Sequence, residues 1–411
     1  MTALMSVAGI VGLLGVAVLL SADRRAIDLR TVGGAFLVQA GLGALVLYFP
    51  PGQRVLLAVT DVVQTVMDSA QAGMDFLFAG LVGEAAVEGG LGFIFAFRVL
   101  PLIIFFSSLI AVLYHLRIMP WVVRIIGGAL QRVLGTSRTE SLSATANIFV
   151  GQTEAPLAVR PFIARMTESE LFAVMVGGLA SVAGSVLAGY AALGVELRYL
   201  IAASFMAAPG GLLMAKILKP EVDRPEDPQE AMAEPEAPPV NVIDAAASGA
   251  SSGLFLALNV GAMLLAFIAL IALANVVLGG LGGWVGLDGL TLEGILGGLF
   301  APVAFAIGVP WSEAVAAGGL IGQKLVLNEF VAFVNLVALE PGLSARSEAV
   351  VTFALCGFAN FSSIAILIGG IGGMAPSRRG DVARLGILAV IGGSLANLMS
   401  AALAGLFLGL T

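Results

Sequence analysis

The stretch NIFVGQTEAPLAVRPF, residues 147–162, gathers Asn147, Gln152, Thr153 and Glu154 beside Gly151 and Pro156 in a chain that is otherwise close to continuous hydrocarbon. A second carboxylate, Glu329, stands in KLVLNEFVA. Each acid is followed by a segment rich in glycine and serine, LASVAGSVLAG at 179–189 and CGFANFSSIAI at 356–366. The spacing repeats: Glu154 precedes Ser181 by 27 residues, and Glu329 precedes Asn360 by 31. Amides, hydroxyls and carboxylates together offer donors and acceptors, which suits holding a polar solute by hydrogen bonds. No arginine occurs in either polar tip or either break, which argues for a neutral solute. No histidine is near Ser181, Ser185 or Ser363 to activate a hydroxyl, so an intramembrane hydrolase is set aside and no enzyme is expected.

A carboxylate at bilayer depth costs roughly 2.5–3.5 kcal/mol on insertion scales, so both glutamates need partners. Lys324, five residues before Glu329, could pair with it locally. Local pairing does not explain two polar clusters at matching positions. Capping of broken helices is an ordinary use for Gln152, Thr153, Asn360 and Ser363, and it can coexist with ligand binding.

The elements that must carry these residues are membrane helices. Of 411 residues 59% are hydrophobic and 11% charged, the mean hydropathy is +1.03, and the apolar runs are long enough for helices to cross a bilayer. Outer-membrane strands would give shorter alternating segments. The net charge of −7 comes mostly from one hydrophilic stretch without a basic patch, so a nucleic acid polymer is not a partner. Cys356 and His115 are each alone, which excludes an internal disulfide and a zinc or iron–sulfur cluster within one chain. They read as a small buried packer and a helix-end residue.

Apolar spans are expected at 3–21, 32–49, 91–115, 169–193, 197–217, 251–280, 347–373 and 383–409, giving an all-α polytopic protein with eight transmembrane helices. The first run begins at Thr2 without a basic leader and is followed by Arg24, Arg25 and Arg30, which opposes a cleavable signal peptide and puts the N-terminus outside. Eight crossings return the C-terminus outside, and the clusters Arg117 to Arg138, Lys216 with Lys219, and Arg378 to Arg384 then all fall inside. Asp61, Gln64, Asp68, Gln71 and Asp75 recur every three or four residues, which predicts an amphipathic helix at 53–78, read as interfacial, with a tilted buried helix carrying a wet seam as the alternative.

Two segments, 141–163 and 312–341, are apolar but broken midway, at VGQTEAP and VLNEF. They read as re-entrant helical hairpins, whose unpaired backbone is tolerated only within protein or beside a watery cavity. Each is followed by a broken crossing, 169–193 and 347–373. Counting crossings gives the hairpins opposite polarity, and inverted repeats with broken helices are the mark of a secondary transporter.

The domains expected are a scaffold part at 1–140, a first transport repeat with span 5 at 141–218 and an acidic cytoplasmic linker at 219–250. A long scaffold helix at 251–290, a second transport repeat at 291–373 and a last span at 374–411 complete the chain. The glycines of GGLIGQK and IGGIGG are expected to serve close helix packing.

GQTEAPLAVRPF, AGSVLAGY, AASFMAAPGGLL, KLVLNEFVA and CGFANFSSIAILIGG, in this order, resemble the bacterial concentrative nucleoside transporters from about residue 90 to the end. The resemblance implies a homotrimer in the bacterial cytoplasmic membrane that imports nucleosides such as uridine, cytidine and adenosine with sodium. A moving transport domain would give alternating access of the elevator type. It implies that Gly151, Gln152, Thr153 and Glu154 address the base and that Val186 packs on it. Glu329, Asn360 and Ser363 would then hold the ribose, with Phe358 as an apolar wall. It also implies a sodium ion on the Asn147 side chain, the Val150 and Val182 carbonyls and Ser181, and no organic cofactor. Some relatives couple to protons, for which Glu154 or Glu329 would be the carrier. A carrier for another small neutral solute is the remaining alternative.

Overall fold

A computed structural model describes residues 2–82, 93–225, 239–284, 286–287 and 289–410. Its described residues build helices joined by short turns, beginning with α1 (Thr2–Leu19), α2 (Leu29–Leu47) and α3 (Pro50–Phe78). Asp28 starts α2 by accepting from Thr31 Oγ at 2.7 Å and Arg30 N at 3.0 Å, bonds that hold its carboxyl below the ordinary range. On α3 the expected amphipathic pattern is realised: Leu56, Met67, Ala70 and Met74 are buried while Asp61, Gln64, Asp68 and Asp75 are exposed. A short turn at Phe95–Arg98 leads into α4 (Leu100–His115). The expected start of that span, at 91 and 92, lies outside the described residues. Helix α5 (Ile118–Leu134) buries Met119, Val123, Gly127, Leu130 and Leu134 along one stripe.

The first hairpin begins at α6 (Arg138–Ala146), three residues earlier than expected, because Ser137 and Glu140 form a reciprocal capping box there. Its return arm is a 3₁₀ turn, Ala155–Val159, followed by one helical turn, Arg160–Ile163. The first broken crossing is α7 (Glu168–Ala180) and α8 (Gly184–Ala192), and α9 (Leu197–Leu218) follows. Thr167 and Glu170 cap α7 in the same reciprocal way.

Two expectations need correction. The linker expected at 219–250 ends early, since α10 spans Val242–Trp284 and absorbs residues 242–250. The run VIDAAASGA is alanine-rich, and Asn241 Oδ1 caps it by accepting from Asp244 N at 2.9 Å. The linker's middle, 226–238, lies outside the described residues. The second difference is α11 (Leu292–Ala306), an apolar helix that belongs to none of the expected spans. It meets α12 (Trp311–Val326) at a bend of 115°. A Cβ on Gly318 would stand 2.6 Å from Ala301 N, and one on Gly322 2.8 Å from Leu296 Cβ, so the glycines of GGLIGQK do serve close packing.

The second hairpin closes through α13 (Glu329–Val337), whose cap Asn328 Oδ1 accepts from Val331 N at 2.9 Å. The second broken crossing is α14 (Ala345–Leu355) and α15 (Ser362–Met374), and α16 (Arg379–Leu408) ends the described chain. Among the described residues six helices are long and apolar enough to cross a membrane, or seven if the bent pair counts as one span. α1 and α15 are apolar but shorter.

Burial separates two classes of helix. The apolar windows of α7–α8 and α9 are 94% buried and that of α16 is 72% buried, whereas those of α2, α4 and α10 are 22% buried. The first group forms an interior against which both hairpins pack. The second forms a perimeter whose outward residues, such as Leu254, Phe255, Leu265 and Val276 of α10, suit hydrocarbon.

Candidate functional site

The two breaks meet inside the protein. Phe358 N donates to Ser181 O at 3.1 Å, so the gap in the second crossing is bonded to the gap in the first. Each break also holds a hairpin: Gly184 N donates to Phe149 O at 3.0 Å, and Phe361 N to Leu325 O at 3.2 Å. Backbone groups freed by ending helices inside a membrane thus find partners in one another.

Side chains continue the junction. Gln152, buried at the first tip, donates from Nε2 to Ser363 Oγ at 3.3 Å. Ser363 N donates to Asn360 Oδ1 at 2.9 Å, and Asn360 Nδ2 to Glu329 Oε2 at 3.1 Å. The other carboxylate oxygen, Oε1, accepts from Tyr190 OH at 3.0 Å. Five residues from the first tip, the second break, the second tip and α8 form one polar chain through an apolar interior. Tyr190 lies in the AGSVLAGY motif, yet nothing in its spacing assigned it to the site. It is fully buried and its ring packs on Phe330 and Phe333, with centroids 4.9 and 4.4 Å away.

The remaining candidates fall into three groups. Gly151 and Thr153 share the first tip with Gln152, and Thr153 faces α15, where a Cβ on Gly370 would stand 3.1 Å from its Cγ2. Val186 is buried on α8, and Phe358 is half-buried in the second break. Glu154 is not bonded into the chain. Its carboxylate folds toward its own loop, so close that a Cβ on Gly151 would lie 2.5 Å from Oε2. Glu154 is exposed. Tyr114 of α4 lies within electrostatic reach of it.

Beside the first tip is a group of neutral oxygens. Asn147 is buried and its Nδ2 donates to Ser143 O at 3.0 Å, but its Oδ1 has no hydrogen-bond partner. A Cβ on Gly177 would touch Asn147 Nδ2 at 3.4 Å, and Ser181 Oγ donates to Gly177 O at 3.0 Å, so Asn147 and Ser181 flank the same turn of α7. Val150 and Val182 are buried in the adjoining turn and break. A buried carbonyl oxygen without a donor is costly by roughly 1–3 kcal/mol, and a hard cation would satisfy it. Among the described residues no three histidine, cysteine or carboxylate groups cluster to hold a metal.

Sequence reasoning also missed Asn397. From α16 its Nδ2 donates to Ala180 O at 2.6 Å and Cys356 O at 2.9 Å, the carbonyls at the edges of the two breaks. Its Oδ1 accepts from Lys324 Nζ at 2.6 Å.

The family profile described as the sodium-dependent nucleoside transporter C-terminus matches residues 199–405. Its N-terminal counterpart matches 8–81, and a profile described as nucleoside recognition matches 96–196. The chain belongs to the sodium-dependent nucleoside transporter family. It is 58% identical to an uncharacterized transporter of Haemophilus influenzae, covering 100% of this chain and 99% of the relative. It is 51% identical to the nucleoside permease NupC of Helicobacter pylori, with 100% and 99% covered. CNTnw in an inward-facing, substrate-bound state is 60% identical with a TM-score of 0.95, covering 100% of this chain and 99% of that one. A doubly substituted variant of CNTnw is also solved in an outward-facing state, which is 60% identical and matches with a TM-score of 0.97 over 100% of both chains. This member of the nucleoside transporter family is therefore a membrane carrier rather than an enzyme, and its transport is sodium-dependent and proceeds by alternating access.

Proposed function

We propose that the protein imports nucleosides with sodium across the bacterial cytoplasmic membrane, holding the nucleoside where the two hairpin tips meet the two breaks. The observation that carries this reading is the unbroken chain from Gln152 through Ser363, Asn360 and Glu329 to Tyr190. Glu329, Asn360 and Ser363 take the ribose hydroxyls, for which a carboxylate acceptor, an amide and a hydroxyl are complementary. Gln152, whose Oε1 is buried without a partner, turns its amide to the base together with Thr153 and Glu154. The base lies against Val186, the Gly151 backbone comes close to it, and Phe358 walls the sugar. Uridine, cytidine and adenosine all present the required edges.

Sodium occupies the neutral oxygens of Asn147, Val150, Ser181 and Val182. Its charge orders the tip that carries Gln152 to Glu154, so ion and nucleoside bind together. A membrane potential adds roughly 2.3 kcal/mol per charge per 100 mV to import.

The chain crosses eight times with both termini outside, and the two hairpins of opposite polarity with their broken crossings make the transport repeats. These move as an elevator against a scaffold of α3, α4 and α10 within a homotrimer. An open cleft of about 390 Å³ between Leu57, Thr60 and Gln64 of α3 and the Gly194–Arg198 turn supports a loose seam between the two parts.

Radiolabelled uridine uptake into proteoliposomes under imposed sodium or proton gradients tests the reading. Accumulation driven by sodium is expected. Accumulation driven only by protons overturns the ion assignment, and none with either gradient in folded protein overturns the substrate.

A further inference from the structure

The polar chain ends on a residue from the other repeat. Tyr190 stands on α8, in the first repeat, and its hydroxyl donates at 3.0 Å to Oε1 of Glu329, the acid at the second tip. Asn360, from the second break, donates to Oε2 at 3.1 Å. Each carboxylate oxygen thus has one donor, and the two donors belong to different repeats. A carboxylate turns readily about its last bond unless something holds it. One donor on each oxygen fixes its plane and leaves the remaining lone pairs aimed in set directions.

The hydroxyl is itself held. Tyr190 is 0% exposed, and its ring lies against Phe330 and Phe333 of α13, with centroids at 4.9 and 4.4 Å. Phe330 packs in turn on Phe95 at 5.6 Å. Beside the ring, Gly189 lets its neighbours come close: a Cβ there would stand 3.4 Å from Phe330 Cζ and 3.2 Å from Val99 Cγ1. A phenol clamped in this way is a fixed point for its oxygen. Packing alone does not need that oxygen, since phenylalanine would fill the same space without burying a polar group.

We infer that Tyr190 is a positioning residue for ribose recognition, whose clamped hydroxyl fixes the Glu329 carboxylate in the orientation that receives a ribose hydroxyl. It acts through Glu329, so the inference rests on the ribose-binding role of that acid proposed above. Sugar recognition at the second tip then depends on the seating of α8, an element of the first repeat.

The test compares wild type, Tyr190→Phe, Glu329→Gln and the paired variant by displacement of radiolabelled uridine from purified protein at saturating sodium and a single pH. The competitors are uridine, 2′-deoxyuridine and 3′-deoxyuridine. Tyr190→Phe keeps the ring and removes only the hydroxyl. Its affinity for uridine is expected to fall about tenfold, because the charged acceptor loses the bond that orients it. For a deoxynucleoside that lacks a hydroxyl received by Glu329, the fall should shrink to about twofold or less. The penalties of Tyr190→Phe and Glu329→Gln should not add in the paired variant, because one acts through the other.

Unchanged affinity for uridine in Tyr190→Phe, an equal fall with all three nucleosides, or additive penalties in the paired variant overturns the inference, since a side chain that only braced the fold would treat every ligand alike. If Tyr190→Phe does not fold, the paired variant decides. Folding restored by adding Glu329→Gln supports the tie between hydroxyl and carboxylate, and failure to fold overturns it. Unchanged uridine affinity in Glu329→Gln removes the ribose site itself, whereas a loss there with none in Tyr190→Phe removes only the role of the tyrosine.

Discussion

Glu329→Gln keeps the size of the side chain and removes its charge. The carboxylate accepts from Tyr190 OH at 3.0 Å and from Asn360 Nδ2 at 3.1 Å, which orients both oxygens and leaves lone pairs for a ligand. An amide can keep both partners, its oxygen accepting from Asn360 Nδ2 and its nitrogen donating to a turned Tyr190 hydroxyl, but it brings no charge to the ligand. Hydrogen bonds to an ionised group contribute roughly 1.5–3 kcal/mol and those between neutral groups roughly 0.5–1.5. Converting two ribose contacts from charged to neutral therefore loses about 2 kcal/mol, a rise in Kd of about 30-fold. Calorimetric titration of purified protein with uridine at saturating sodium measures it, with thermal unfolding to establish that the variant is folded. A nucleoside lacking one ribose hydroxyl provides the second edge of a double-mutant cycle. The penalty of the substitution should shrink with that ligand, because one contact is already missing. Unchanged affinity for uridine would remove Glu329 from the site, and an equal loss with both ligands would mean that the acid acts on the fold rather than on the sugar.

Asn147→Ala removes the buried unpaired oxygen while giving up only one local bond to Ser143 O. The sodium concentration for half-maximal uptake should rise by about tenfold or more, with nucleoside affinity at saturating sodium nearly retained; an unaltered sodium dependence would move the ion elsewhere. At the base of the first hairpin Lys216 pairs with buried Glu140 and donates to Ser169 Oγ at 2.9 Å. Lys216→Ala strands that carboxylate and should cost about 3–5 kcal/mol in unfolding measurements, so a loss below about 1 kcal/mol would contradict the burial of the pair.

The tips and breaks were legible because polar side chains in hydrocarbon are conspicuous, and most helix limits came within a few residues because their caps are written locally. Ser137 with Glu140 and Thr167 with Glu170 are examples. α11 was not legible: LEGILGGLFAPVAFA is short of a full crossing, and its partnership with α12 depends on glycines whose contacts exist only after folding. The start of α10 was hidden by the acidic stretch before it, which lowered the apparent order of its first turns. Glu154 was expected among the site residues, and the structure leaves it exposed and turned to its own loop.

Asn397 shows why a symmetry argument stops short. Two broken crossings leave carbonyls at the edges of their gaps, and in hydrocarbon these must be satisfied from within the protein. Matching halves of the chain predict that the two gaps resemble each other, but not which third element serves both. In GGSLANLMSAALAG a single amide interrupts an apolar helix, an arrangement that fits a packing seam as well as a site. Only the folded chain brings its Nδ2 to Ala180 O and Cys356 O together, with Lys324 on its other atom. The two breaks are then tied together by Asn397, and on the proposed reading a shift at Ser181 would be passed through Ala180 and Asn397 to Cys356. On that reading, the two bonds from Asn397 Nδ2 would couple ion and sugar alongside the shared first tip.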